Sequence, residues 1–417
     1  MIGIVCEYNP FHNGHAYHIS RSRQEIEDNE GVVCVMSGDF VQRGEPAVYS
    51  KFARAEAACR GGADLVIELP LPWCIASAEG FARGAVGLLG KLGVKHLAFG
   101  SETGDTGELE TLAAALLRPD TQTDIRELLA RSPNLSYAAA RQMVMEQHAG
   151  ECGKRLSQAN NILGVEYCKA IYDLHLDMQP HAARREGNEH DGEGKEGFRS
   201  ASEIRRMLLY GNGIREEVPH EALTVYENER RMGREIRDRA SLETAILSRL
   251  RMFDEAYYNR LPDAGEGLGS RLYQAVRREA SYDAILAAAR TRRYPLSRIR
   301  RMCMAACLGI EADMSAGIPP YARVLAANEK GRAILRDRSG KGDIPLLTKA
   351  ASVRDLGVEC ERLFNLNADA HDFYVLGYPS VEERKPGGDW RIGPKILEEQ
   401  AAQRIRLFDL QESGPVV

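Results

Sequence analysis

Four short apolar runs in the first hundred residues constrain the fold most: GIVCEY at 3–8, VVCVMSG at 32–38, DLVIELP at 64–70 and HLAFGSE at 96–102. Between them lie HAYHISRSRQEIEDN, KFARAEAACRGGA and AEGFARGAVGLLGKLGV, whose spacing is helical. Strand and helix alternating through short connections is the pattern of a parallel sheet, and near-continuous apolar strands mean that both faces are covered. Ligands of such sheets sit outside the carboxyl ends of the strands. Chemistry is therefore expected at EYNPFHNGH, MSGDF, ELPLP and FGSE, where the four runs end.

The chain has 417 residues, enough for two or three domains. Residues 105–180 read as helical, with LSQANNILGVEYCKAIYDLHL the most structured piece, and EGNEHDGEGKEG at 186–197 reads as a charged glycine-rich loop. It leads into FRSASEIRRMLLYG, where Ser200 or Ser202 is placed to cap a helix. From about 215 to 315 the pattern is helical, then mixed, with strand-like character near HDFYVLGYP. No apolar stretch approaches the ~20 residues that cross a bilayer, and the first residues carry no basic leader. Nine cysteines without a CxxC pair fit reduced, buried thiols of a cytoplasmic protein. Cys303 and Cys307 share a helix face but lack a neighbouring ligand, so no protein metal site is expected. Net charge is −5, yet residues 271–306 hold nine arginines against Glu279 and Asp283, a local balance of +7. Guanidinium forks of that density suit phosphate contacts.

In HNGH, Asn9-Pro10 ends the first strand and His15 falls in the first turn of the following helix, with His12 just before it. A helix N-terminus gathers backbone N–H groups and positive dipole at one point. Two imidazoles there are placed to donate hydrogen bonds to phosphate oxygens as charge builds at an α-phosphorus. Asp39, Gln42 and Arg43, in the loop after the second strand, either order that loop or touch a substrate. Glu68 reads as a structural carboxylate.

HxGH after a first strand, with SASEIR opening a later helix, is the signature of the HIGH-type nucleotidyltransferases. GIVCEYNPFHNGHAYHI, MSGDFVQRGEPAVYSKFARAEAACRGGADLVIELP, SAEGFARGAV, LAFGSE and NNILGVEY together resemble the tRNA(Met) cytidine acetate ligase family. The resemblance implies a Rossmann-like catalytic domain over 1–214 and a mostly helical, tRNA-binding region over 215–417. It implies activation of acetate by ATP as acetyl-adenylate, with Mg²⁺ carried by the nucleotide. Acetylation of N4 of the wobble cytidine of elongator tRNA(Met) would follow. The residues it points to for ATP are Glu7, Tyr8, Asn9, Pro10, Phe11, His12, Asn13, Gly14 and His15 in the first loop. Beyond the loop it points to Gly100, Asn161 (Asn160 the near alternative), Arg184 or Arg185, Ser200 and Ser202. Catalytic roles fall to His12, His15 and Arg205. The family's run from the arginine at 184 or 185 into Tyr-His-Asp is interrupted here by Glu186, Asn188 and Glu189 before His190 and Asp191. Two other readings compete: an adenylyltransferase for a small molecule, which needs no arginine-rich second half, and a non-catalytic RNA-binding protein, against which the intact motifs argue. No membrane and no protein partner are implied.

Overall fold

The computed structural model describes residues 1–27, 30–132, 134–185, 198–340 and 343–398. Readings that fall on 186–197, His190 and Asp191 among them, lie outside the described residues. The strands are β1 (Ile2–Cys6), β2 (Val32–Ser37), β3 (Phe40–Val41), β4 (Glu45–Pro46), β5 (Leu65–Leu69), β6 (His96–Ser101), β7 (Gln179–Arg184), β8 (Ala322–Ala327), β9 (Leu346–Leu347) and β10 (Lys395–Ile396). The main sheet runs β10-β8-β5-β2-β1-β6-β7, with β9 paired to β8, while β3 and β4 form a separate hairpin. From β5 to β7 every pairing is parallel. The chain moves outward from β1 through β2 to β5, then crosses to β6 on the other side. The order therefore reverses between β1 and β6, and that crevice is where doubly wound sheets bind ligands.

Both faces are covered, and side chains divide by parity. Val33 and Val35 of β2 join one apolar cluster, Cys34 and Met36 the opposite one. The first face packs against α3 (Ala78–Lys91), α4 (Thr106–Leu117), α5 (Pro119–Arg131), α6 (Tyr137–Ala149) and α7 (Ala159–Asp173). The second carries α1 (Asn13–Ile26), α2 (Lys51–Arg60), α8 (Ala201–Leu209) and α9 (His220–Arg231). Serine caps start several helices: Ser50, Ser77 and Ser200 accept from Ala53, Gly80 and Glu203 backbone N–H groups. Alanines along α2 let it lie close between the sheet and α9.

Three readings of the chain beyond the first four strands are corrected. The sheet does not end near 214: β8 pairs antiparallel with β5, aligning Leu65 with Ala327, and β10 extends it further. The helical stretch expected from about 215 to 315 holds α10 (Glu243–Leu250), α11 (Glu255–Tyr258), α12 (Leu268–Arg278), α13 (Tyr282–Ala289) and α14 (Leu296–Leu308). After it come α15 (Glu329–Arg338), α16 (Val358–Val375) and α17 (Gly388–Arg391) around the added strands. HDFYV is not a strand; it ends α16, where its aromatic residues line a buried helix face rather than a pleat. Gln179–Arg184 is β7, which the helical reading of 105–180 overlapped at its first two residues and otherwise left unassigned; it is an edge strand whose mixed polarity hides the period of two.

Most of the arginine run is internal mortar. Arg271 donates to the Ala288 and Ala289 carbonyls at 2.8 Å each, closing the end of α13. Arg277 does the same for Arg251 and Phe253. Arg298 and Arg293 pair with Glu266 at 2.9 and 3.0 Å, Arg301 with Asp263 at 2.8 Å and Arg300 with Glu45 at 2.7 Å. Terminal helix carbonyls lack intrahelical partners, and a guanidinium with five donors satisfies several at once. Arg278, Arg290 and Arg292 remain exposed, with no side-chain partner among the described residues.

Candidate active site

After β1 the backbone passes Tyr8 at φ 46° and a cis Asn9–Pro10 bond before α1 begins. His12 is the N-cap of α1, and its Nδ1 accepts the Gly14 N–H at 3.1 Å. His15, one turn on, uses its own Nδ1 to accept the His12 N–H at 3.3 Å. The two rings lie 3.7 Å apart, tilted by 33°. This is a capping box built from imidazoles, and it fixes the tautomer: a ring whose Nδ1 accepts carries its proton on Nε2. Burial, helped by the charges of Arg185 and Arg205, lowers the His12 pKa to about 4. Burial and the neighbouring His12 hold His15 well below its ordinary value. At neutral pH both rings are uncharged Nε2–H donors above a helix N-terminus, an arrangement suited to an oxyanion.

The rest of the loop supports that pair. Tyr8, Asn9, Pro10 and Phe11 are buried and can reach a nucleotide only through their backbone. The Asn9 side-chain oxygen accepts the Val48 N–H at 2.9 Å, and its carbonyl accepts Arg205 Nη1 at 2.8 Å. The Phe11 N–H donates to the Tyr226 hydroxyl at 2.9 Å, and Asn13 Nδ2 to the Glu216 carbonyl at 2.8 Å. Arg54, 0% exposed, donates to the carbonyls of Glu7, Ser37, Gly38 and Tyr49, tying the ends of β1 and β2 together. Nothing in the sequence distinguished Arg54 or Tyr226, because each acts on backbone brought near only by the fold.

Arg205, one turn into α8, also donates to Ser202 Oγ at 3.0 Å, so the two phosphate motifs meet at Asn9. Ser200 is occupied as a cap, reciprocally bonded to Glu203. Across the crevice, Gly100 lines the end of β6 in register with Ala183. A Cβ there would stand 3.1 Å from Arg185 Cγ. Arg185 acts on both His12 and His15, while Arg184 stands in register with Ser101 at the end of β7. Of the two candidates, Arg185 is the one whose charge acts on the histidines. Asn161 is fully buried: its Oδ1 accepts the Glu102 and Thr103 N–H groups at 3.0 and 3.1 Å, and its Nδ2 donates to Gln158. Glu102 in turn accepts the Asn160 and Asn161 N–H groups. FGSE and NNILG thus lock each other, and Asn161 shapes the wall of the crevice rather than pointing into it.

Behind the ends of β2 and β5 lies a buried charge network. Lys51 Nζ contacts Glu68 at 2.8 Å, Asp389 at 2.6 Å and Asp39 at 3.8 Å. Arg323 reaches Asp389 at 2.6 Å and Glu68 at 3.3 Å, and His371 Nδ1 meets Asp39 at 2.8 Å. Burial opposes the charge on His371, but Asp39 overrides it and raises the pKa. Three carboxylates then face Lys51, Arg323 and an imidazole whose protonated form Asp39 favours. Asp39 and Glu68 belong to this lattice, and no group of three His, Cys, Asp or Glu able to hold a metal occurs among the described residues.

The histidines give a pH dependence whose sign can be worked out. Burial lowers His12 and His18 to about 4 and His15 well below its ordinary value, so each takes up a proton on unfolding. A base with a depressed folded pKa contributes stability that is full above about 6.5 and is lost as pH falls. His371, being raised, is protonated in both states below that point and adds no slope there. Unfolding free energy should therefore fall as pH drops from about 6.5 to 5. Chemical denaturation of the wild type and His18→Gln should show a shallower slope in the variant; equal slopes would mean that His18 is not held neutral.

A family model for HIGH Nucleotidyl Transferase matches residues 1–388. The chain belongs to the HIGH nucleotidyl transferase family. A tRNA(Met) cytidine acetate ligase of Acetivibrio thermocellus is 34% identical over 409 residues, covering 94% of this chain and 98% of that protein. One from Syntrophotalea carbinolica is 37% identical over 365 residues, covering 84% and 85%. The crystal structure of Thermotoga maritima TmcAL without ligand superposes with TM-score 0.90 at 32% identity, covering 95% of this chain and 99% of that one. The form bound with alpha-thio ATP gives 0.87 at 31% identity over the same shares. Within the HIGH group, the chain is a member of the tRNA(Met) cytidine acetate ligase family. Among the described residues no helix is long and apolar enough to cross a membrane.

Proposed function

We propose that this chain joins acetate to the N4 amine of the wobble cytidine of elongator tRNA(Met), using ATP with its accompanying Mg²⁺. An acetate oxygen attacks the α-phosphorus, the bond to the bridging oxygen breaks, and pyrophosphate leaves. The cytidine N4 then attacks the acetyl carbonyl, AMP departs with the acyl C–O electron pair, and N4 loses a proton. The observation that carries this reading is the neutral His12–His15 pair with both Nε2–H donors at the β1–β6 crevice, flanked by Arg185 and Arg205. Neutral donors strengthen as charge grows on the α-phosphoryl oxygens, while the arginines complement the departing pyrophosphate. Exchange of labelled pyrophosphate into ATP without tRNA tests the first step. It should require acetate, and equal exchange in its absence would overturn the reading.

In the same reading, residues 1–214 with α9 and the strands of 322–396 form the catalytic body, and the helices from α10 to α14 grip tRNA. That grip narrows to Arg278, Arg290 and Arg292, the pair at 290 and 292 being the closer together, since the other six arginines of the run are spent internally. Phosphate binding releases counterions, so Arg290→Glu with Arg292→Glu should raise the KM for tRNA. The salt slope of binding should also flatten by roughly 0.7–0.9 for each phosphate no longer neutralised. Pyrophosphate exchange should stay intact, and impaired exchange with unchanged tRNA affinity would refute the placement.

A further inference from the structure

The β3–β4 hairpin is mounted from three sides. At its base the Ala47 N–H donates to the Asp39 carbonyl at 2.9 Å, and Asp39 Oδ1 accepts the Lys51 N–H at 2.8 Å. Towards the crevice, the Gln42 N–H donates to Glu7 Oε1 at 2.8 Å, and Gln42 Nε2 to the Ala76 carbonyl at 3.1 Å. On the far side Gly44, at φ +72°, approaches α14 so closely that a Cβ would stand 2.5 Å from the Arg301 nitrogen. Glu45 holds the same helix through Arg300 at 2.7 Å. Between these anchors stands Arg43. It is exposed, and no carboxylate or carbonyl among the described residues accepts from its side chain. Its neighbours Arg300 and Arg301 are both paired.

We infer that Arg43 binds a phosphate oxyanion at the seam between the nucleotide crevice and the helical segment. A guanidinium with five donors, carried on a braced hairpin backbone and left without a partner, is free to take such a ligand bidentately. Its charge also reaches Glu7 and Arg205, which places it at the mouth of the crevice. The inference deepens the function proposed above and rests on it for the identity of the ligand. Two sources supply the same chemistry: the pyrophosphate end of ATP, or a backbone phosphate beside the target cytidine.

Binding separates them without relying on turnover. Inorganic pyrophosphate and bulk tRNA are titrated calorimetrically into wild type, Arg43→Gln and Arg43→Lys, after melting curves establish equal stability. If pyrophosphate is the ligand, its Kd rises on the order of tenfold or more in Arg43→Gln, the effect of removing a charge-assisted hydrogen bond. Arg43→Lys should recover part of that loss. If tRNA is the ligand, the slope of log K against log salt falls by roughly 0.7–0.9, with pyrophosphate unchanged. Either result supports the assignment and names the source. Unchanged affinity for both, at wild-type stability, overturns it. Failure of the acetate reading would appear separately, as wild-type protein that does not exchange pyrophosphate in the presence of acetate.

Discussion

Replacing His12 or His15 with alanine should slow acetate-dependent pyrophosphate exchange by roughly 10²–10³-fold, the cost of losing one preorganised donor to a transition-state oxyanion. The Nε2–H groups are uncharged in the free enzyme, because burial keeps His12 at about 4 and His15 well below its ordinary value. They therefore contribute little to holding ground-state ATP and more as charge accumulates, so the Kd for ATP should move far less than the rate. The two positions also differ. His12→Ala removes the acceptor for the Gly14 N–H, whereas His15→Ala removes the acceptor for the His12 N–H and frees the His12 loop. Each alanine leaves a helix-start N–H to water. Asparagine at either site should restore the cap more than the catalysis. Near-wild-type exchange in both alanine variants would refute the role assigned to the pair.

The second large effect is on stability. Lys51→Met should destabilise the protein by about 3–5 kcal/mol, because it strips a cation from carboxylates that are almost wholly buried. Glu68 and Asp389 lose the ammonium that stands 2.8 and 2.6 Å from them, and Arg323 and His371 alone cannot balance three negative charges. A double variant, Lys51→Met with Asp389→Leu, removes one charge of each sign and should recover part of the loss. Denaturant unfolding measures both. A loss under about 1 kcal/mol for the single variant would mean that one carboxyl is protonated in the fold, contrary to the lowered pKa of Asp39 and Asp389. This network joins the ends of β2 and β5 to α16 and α17, so its failure should release the C-terminal strands first.

What could be read before the fold was seen follows a physical division. The parallel sheet and its reactive edge were legible because β1, β2, β5 and β6 are short apolar runs between helical segments, and sequence period reports burial directly. HNGH and SASEIR were legible because each motif is local. β8 and β10 were not, since β8 pairs with β5, more than 250 residues earlier, and β10 pairs in turn with β8, and a short strand pairing at long range leaves no local period. The arginine run misled for a related reason: composition records charge but not whether Glu266, Asp263, Glu45 or a helix carbonyl waits opposite. The packing of Asn161 had no local sign in the sequence. Its amide is satisfied by the loop after β6, which only the packing of α7 on the sheet brings within reach. Arg43 lay in a loop that sequence alone read either way, and only its unpaired state in a braced hairpin distinguishes it.

The most direct measurement of the central claim is incubation with carboxyl-labelled acetate, ATP, Mg²⁺ and total tRNA, followed by digestion to nucleosides. The account predicts label in a single modified cytidine from tRNA(Met), dependent on ATP and absent with the His12 and His15 variants. Label entering tRNA without ATP, or acetate-dependent ATP cleavage whose product never reaches cytidine, would contradict it.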